Sequence, residues 1–144
     1  RSLFPTAKES KYEKEINLTI PDTIHDLAAA WVYKFEDGKL KWISFSKYID
    51  ELTDVNFKKC LKATKEIIAD YTNWHYEPDE TIEGKQKFVD PYKKKHWGYD
   101  VLEARWKNAG GQKMKVEFTF MGGKGEYHLI VVINHFDKDY PYYE

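Results

Sequence analysis

The spacing of hydrophobic residues changes period along the chain, and each change predicts an element. Residues 12–20, YEKEINLTI, end in alternation, with Ile16, Leu18 and Ile20 on one side and Glu15, Asn17 and Thr19 on the other. A period of two is the mark of a half-buried strand. Pro21 and Asp22 are expected to end it. Residues 54–72, DVNFKKCLKATKEIIADYT, repeat at helical spacing instead. Phe57, Leu61, Ile68 and Tyr71 lie on one stripe, with Cys60, Thr64 and Ile67 beside it and Lys58, Lys62, Lys65 and Glu66 on the outer side. Thr53 or Asp54 can cap the start of this helix.

Between these two elements, Asp37-Gly38 is a hairpin signal, because a type I′ turn needs positive φ at both central positions. A two-residue loop there pairs Phe35 with Leu40, Tyr33 with Trp42 and Trp31 with Ser44. One face is then aromatic, while Glu36 and Lys34 meet Lys39 and Lys41 on the other. Ile24, Leu27, Ala28, Trp31 and Phe35 also sit at helical spacing, and Asp22 could cap a helix. The reading favoured here is a short helix over 22–29 followed by the hairpin.

Residues 98–136 read as a three-stranded meander. The first strand runs from about Tyr99 to Lys107, the second alternates Met114, Val116, Phe118 and Phe120 against Lys115, Glu117 and Thr119, and the third is YHLIVVINHF. That last strand is apolar on both faces through its middle, as in a strand covered on both sides. At the turn 108–111, an odd loop keeps apolar groups together by pairing Trp106 with Met114, Ala104 with Val116 and Leu102 with Phe118. A bulged turn with a left-handed glycine is therefore expected. At Gly122-Gly123-Lys124-Gly125, a four-residue loop would pair Phe120 with Tyr127 and Phe118 with Leu129.

Residues 73–97, NWHYEPDETIEGKQKFVDPYKKKHW, follow neither period beyond Trp74–Tyr76. A long connection without periodicity is often functional. This one carries Trp74, Tyr76, Phe88, Tyr92 and Trp97, and its charge changes from Glu77, Asp79, Glu80 and Glu83 to Lys93, Lys94 and Lys95. Such a loop is a candidate recognition surface. The plainer reading is a strand at 74–77 and a loop whose aromatics cover one end of the core.

Composition adds limits. The chain has 144 residues, the size of one domain, and is 42% hydrophobic and 33% charged, so it can fold around one core. Aromatics reach 17%, which suits strands and binding surfaces alike. The net charge of −1 gives no global field for nucleic acid or an anionic membrane. The short run Tyr92 to Trp97 interleaves bases and aromatics, but alone it makes nucleic acid a weak reading. The single cysteine, Cys60, permits no intrachain disulfide and lies on the apolar side of the helix, where a packed thiol is expected rather than a nucleophile. No apolar run reaches the roughly 18 residues of a membrane span. The chain opens on Arg1 rather than Met, which leaves room for an upstream leader or domain, and either a cytoplasmic or a secreted location fits. Residues 1–11 read as a loose leader and 137–144 as a flexible tail or a docking segment. Asn17-Leu18-Thr19 matches a glycosylation sequon, a pattern that also arises by chance.

Candidate chemistry is sparse. His128 and His135 stand an odd number of positions apart on one strand and so face opposite ways. His25 lies beside Asp26. His75 and His96 share the aperiodic stretch with Glu77, Asp79 and Asp90, at spacings that match no zinc pattern. The chain contains no GxSxG, HExxH, CxxC or phosphate-binding loop, and GGKG at 122–125 reads as a hairpin turn. No cofactor and no metal ligand set is expected.

The whole predicts one α+β domain, with an N-terminal strand, a hairpin at Asp37-Gly38 and a C-terminal meander packed as an antiparallel sheet on one long amphipathic helix. Cystatin-like folds, nuclear-transport-factor-2-like folds and many small inhibitor and immunity proteins share that scaffold, an analogy of fold that carries no function. The first functional expectation is a non-enzymatic protein-binding module, such as an inhibitor, immunity or accessory protein, with another protein as partner. Its anchors would be Trp74, Tyr76, Tyr92 and Trp97. The second is a small-molecule binder or enzyme with a cavity between sheet and helix, walled by Trp31, Tyr33, Trp42 and Tyr71. The third is an ordinary domain of a larger protein.

Overall fold

Among the described residues four strands lead into the helix and four follow it: β1 (Lys8–Tyr12), β2 (Glu15–Ile24), β3 (Leu27–Glu36), β4 (Lys39–Ile49), α1 (Asp54–Trp74), β5 (Glu80–Asp90), β6 (Lys95–Ala109), β7 (Gln112–Gly123) and β8 (Glu126–Asp137). The computed structural model describes the backbone of residues 8–12, 15–90, 95–123 and 126–137, and the side chains of 15–85, 101–119 and 128–137. Among these residues the strands form one antiparallel sheet of order β1-β2-β3-β4-β8-β7-β6-β5, packed on the single helix in an α+β arrangement. The first half of the chain builds inward from β1 to β4. The second half starts at the far edge with β5 and returns, so that β8 pairs with β4 at the centre. The connection must therefore cross three strands, about 15–20 Å at the usual strand spacing. A helix of 21 residues, about 31 Å long, has that reach and packs on the three strands it crosses, β6, β7 and β8.

The helix start is capped as expected, with Thr53 Oγ1 accepting from Asn56 N–H at 3.2 Å. Phe57, Cys60, Ala63, Thr64, Ile67 and Tyr71 are its buried residues, while Leu61 and Ile68 flank them half-buried. Against this stripe lie Phe45, Ala104, Trp106, Met114, Val116, Phe118, Leu129, Val131 and Ile133. Cys60 is fully buried among them. No helix is long and apolar enough to cross a membrane among the described residues.

The expected short helix over 22–29 is not formed. Instead β2 runs through Pro21 and Asp22, and a two-residue turn at His25 and Asp26 leads straight into β3. Both turn residues have positive φ, 45° and 65°, as a type I′ hairpin demands. Pro21 is tolerated because β1 reaches only to Thr19, so no described strand lies outside β2 there. Residues 8–11, read from sequence as loose leader, form β1 together with Tyr12.

At Asp37-Gly38 the predicted turn is present, with φ of 51° and 76°, and Phe35 pairs with Leu40. The rest of the predicted register is corrected by one residue. Lys41 is an extra residue on β4, so Lys34 pairs with Trp42, Tyr33 with Ile43 and Trp31 with Phe45. The bulge brings the Trp31 ring against the buried Phe45 ring, centroids 5.4 Å apart, and turns Trp42 to the opposite face.

In the meander, Trp106 pairs with Met114, Ala104 with Val116 and Leu102 with Phe118, as the apolar pattern required. A register shift lies between Trp106 and Ala109, and Gly110 and Gly111 turn the chain at φ 63° and 85°. At the next turn the expected pairing is two residues out. Phe120 pairs with Leu129 and Phe118 with Val131, because the strands continue through Gly122 and Gly123. A shift of two keeps every face, so the apolar pattern could not detect it.

Candidate functional site

Among its described residues the aperiodic stretch 73–97 is not one long loop. Its middle is β5, whose 11 residues pair without interruption from Glu80–Arg105 to Asp90–Lys95. This separates the predicted anchors. Trp74 ends α1 and Tyr76 lies just beyond it. Trp97 falls near the other end of β6, opposite Phe88. It is nine residues, about 30 Å along an extended strand, from Trp106, to which Tyr76 is tied. Tyr92 lies outside the described residues.

Trp74 and Tyr76 form a corner where the helix hands over to β5. His75 N–H donates to Tyr71 O at 3.0 Å and closes the helix. The Trp106 indole N–H donates to Tyr76 O at 2.7 Å. The Tyr76 hydroxyl donates to Asp79 Oδ2 at 2.9 Å and accepts from Asn108 N–H at 3.2 Å. Asp79 also accepts from Lys107 N–H at 2.6 Å, and its own N–H donates to Arg105 O at 2.8 Å. The backbone hydrogen bond from Lys107 and the Tyr76 hydroxyl hold the Asp79 carboxyl below its ordinary range. The short link is thereby laced to β6. On this frame Trp74 is 67% exposed and Tyr76 37%, with the Trp74 ring leaning on Tyr71 at 5.4 Å.

Tyr71 joins the corner to the core. Its ring lies 5.9 Å from Trp106 and 5.5 Å from His135, and its hydroxyl bonds His135 Nε2 at 2.8 Å. Burial pushes the Tyr71 hydroxyl well up, while burial and the neighbouring His75 push His135 down to about 4. Both groups are therefore neutral at pH 7, and neither is tuned for proton transfer there. His135 borders an open cleft of about 330 Å³ beside the Lys41 bulge, with Trp42, Ile43, Gln112 and Asp137. Of the four aromatics proposed as cavity walls, the bulge puts Trp42 on the face away from the helix, while Trp31, Tyr33 and Tyr71 remain on the helix side. Burial likewise pushes the Cys60 thiol up to about 11, which keeps it protonated. Among the described residues no cluster of three or more His, Cys, Asp or Glu side chains is placed to hold a metal.

The helix-free face of the sheet holds polar groups that are largely buried. Glu103 stands directly opposite Glu117 and pairs with Arg105 at 2.9 Å. Burial raises the Glu117 carboxyl, opposed by Lys115 and reinforced by Glu103. Asn134 is only 8% exposed, and its buried Oδ1 accepts no hydrogen bond from the described residues. The doubly apolar run of β8 was the available signal, since it implied shielding on this side too; Ile130 is buried there. His128 and His135 do face opposite sides, and His128 Nδ1 lies 2.6 Å from Asp50 Oδ1. His25, in the β2–β3 turn, lies between Glu66 (2.8 Å) and Asp70 (2.7 Å) of α1. Compared with known proteins, the chain matches no family model, no curated protein and no solved structure.

Proposed function

We propose that this chain is a non-enzymatic protein-binding module, of the inhibitor, immunity or accessory kind, that engages another protein through the aromatic corner at the end of α1. The observation that carries the reading is the exposure of Trp74 at the end of α1, next to a link that hydrogen bonds from Tyr76 and Asp79 hold to β6. A large ring on a rigid frame loses little conformational freedom on binding, and Trp and Tyr dominate interface energies. The raised Cys60 and Tyr71 and the lowered His135 favour the same reading, since none of the three is poised to exchange a proton near pH 7. The alternative, a ligand cavity between sheet and helix, has the packed core against it: Phe57, Cys60 and Ile67 meet Trp106, Val116 and Val131 there. The test is an unbiased pull-down with the purified chain, read by mass spectrometry and by the size of any complex. A stoichiometric protein partner whose capture depends on Trp74 supports the reading. Its absence, or capture indifferent to Trp74, counts against it.

A further inference from the structure

The outer edge of β5 carries a second surface, independent of the corner. β5 pairs with β6 over 11 consecutive residues without a bulge, and among the described residues no strand lies on its other side. Residues 80–85 are all exposed, including Ile82 at 49%. Such an edge presents a row of backbone donors and acceptors, and proteins normally blunt it with proline, bulges or charge. β5 has neither proline nor bulge; its protection is charge. We propose that β5 pairs antiparallel with β5 of a second copy of this chain, about a two-fold axis at Gly84.

The register follows from parity and charge. A two-fold axis that relates antiparallel strands stands perpendicular to the sheet and keeps the faces, so paired residues must be both odd or both even. One residue therefore sits on the axis. With Glu83, Lys85 or Lys87 there, it meets its own copy and repels it; with Gln86 there, Lys85 meets Lys87. Axes at Ile82 or Phe88 leave only short overlaps. With Gly84 on the axis, Glu83 faces Lys85 twice, Ile82 faces Gln86, Thr81 faces Lys87 and Glu80 faces Phe88, with no like charges opposed. Gly84 is suited to that place, since nothing lies within 4 Å of where its Cβ would be and two glycines meet on the axis without side chains. Glu83 is paired in register with Leu102, on the helix side of the sheet, so the charge pairs form on the face that carries the helices. The charges that protect the edge from other strands become complementary to themselves.

The test is the oligomeric state by light scattering or sedimentation from about 10 µM to about 1 mM. The wild type is expected to dimerise within this range. Glu83→Lys and Lys85→Glu, at exposed positions, should each weaken the dimer roughly tenfold by opposing like charges twice, and the double variant should restore it to within about threefold. Melting curves show that the variants remain folded. A monomer across the whole range overturns the proposal, and so does a dimer that ignores the charge reversals.

Discussion

His25 shows how much one side chain decides here. Its backbone adopts φ 45° in a turn without glycine, and its ring lies within hydrogen-bond distance of carboxylates on both sides, Glu66 through Nδ1 and Asp70 through Nε2. Only the imidazolium can donate to both. The hydrogen bond with Asp70 is the largest cause that raises its pKa, with charge from Asp70 and Glu66 adding and burial opposing. A raised folded-state pKa stabilises the protonated form. The contribution is thus complete below the unfolded value near 6.5 and is lost as pH rises through the folded value. The melting-temperature gap between wild type and His25→Gln should be widest below pH 6.5 and shrink above it. A gap independent of pH would show that the ring acts only by packing. Beside it, Asp26 holds φ 65° at an exposed position. Asp26→Gly should stabilise the protein by about 0.5 kcal/mol in denaturant unfolding, since the steric strain it relieves outweighs glycine's larger loss of backbone entropy.

At the scale of elements, what the sequence discloses depends on which surfaces an element buries. α1 was legible because one stripe is buried and the opposite side is not. Ile67, 1% exposed at the centre of that stripe, should cost about 3 kcal/mol when cut to alanine, measured by urea unfolding. The Trp106–Met114 register was legible because an alternative pairing would oppose apolar and charged residues. β5 and β1 were not legible. Both are edge strands, and α1 packs on β6, β7 and β8 rather than on them, so KESKY and ETIEGKQKFVD have no apolar face to keep. The β2–β3 turn was hidden for another reason: Ala28, Ala29 and Ala30 favour helix locally, and pairing with β2 overrode them. The Lys41 bulge left no mark in composition, yet it reassigns Trp42 to the other face.

At the scale of the molecule, the sheet is two four-strand meanders joined at β4 and β8, with the helix as the strap between them. This arrangement explains the fate of the predicted anchors. The hairpin β5–β6 carries Trp97 away from the helix end, while the link to β6 gathers Trp74, Tyr76 and Asp79 into one place. Of the candidate site, the exposed aromatic pair was visible in the sequence; Asp79 and Asn108, which fix it, were not, because their partners lie about 30 residues away. The proposal is that the corner binds a partner through Trp74, whose exposed ring contributes little to holding the fold. The most direct measurement compares wild type with Trp74→Ala in two readouts, melting temperature and capture of the protein partner. A melting temperature within about 2 °C of wild type and loss of the captured partner are expected. A collapse in melting temperature would make Trp74 a part of the core, and an unchanged capture would place recognition elsewhere on the molecule.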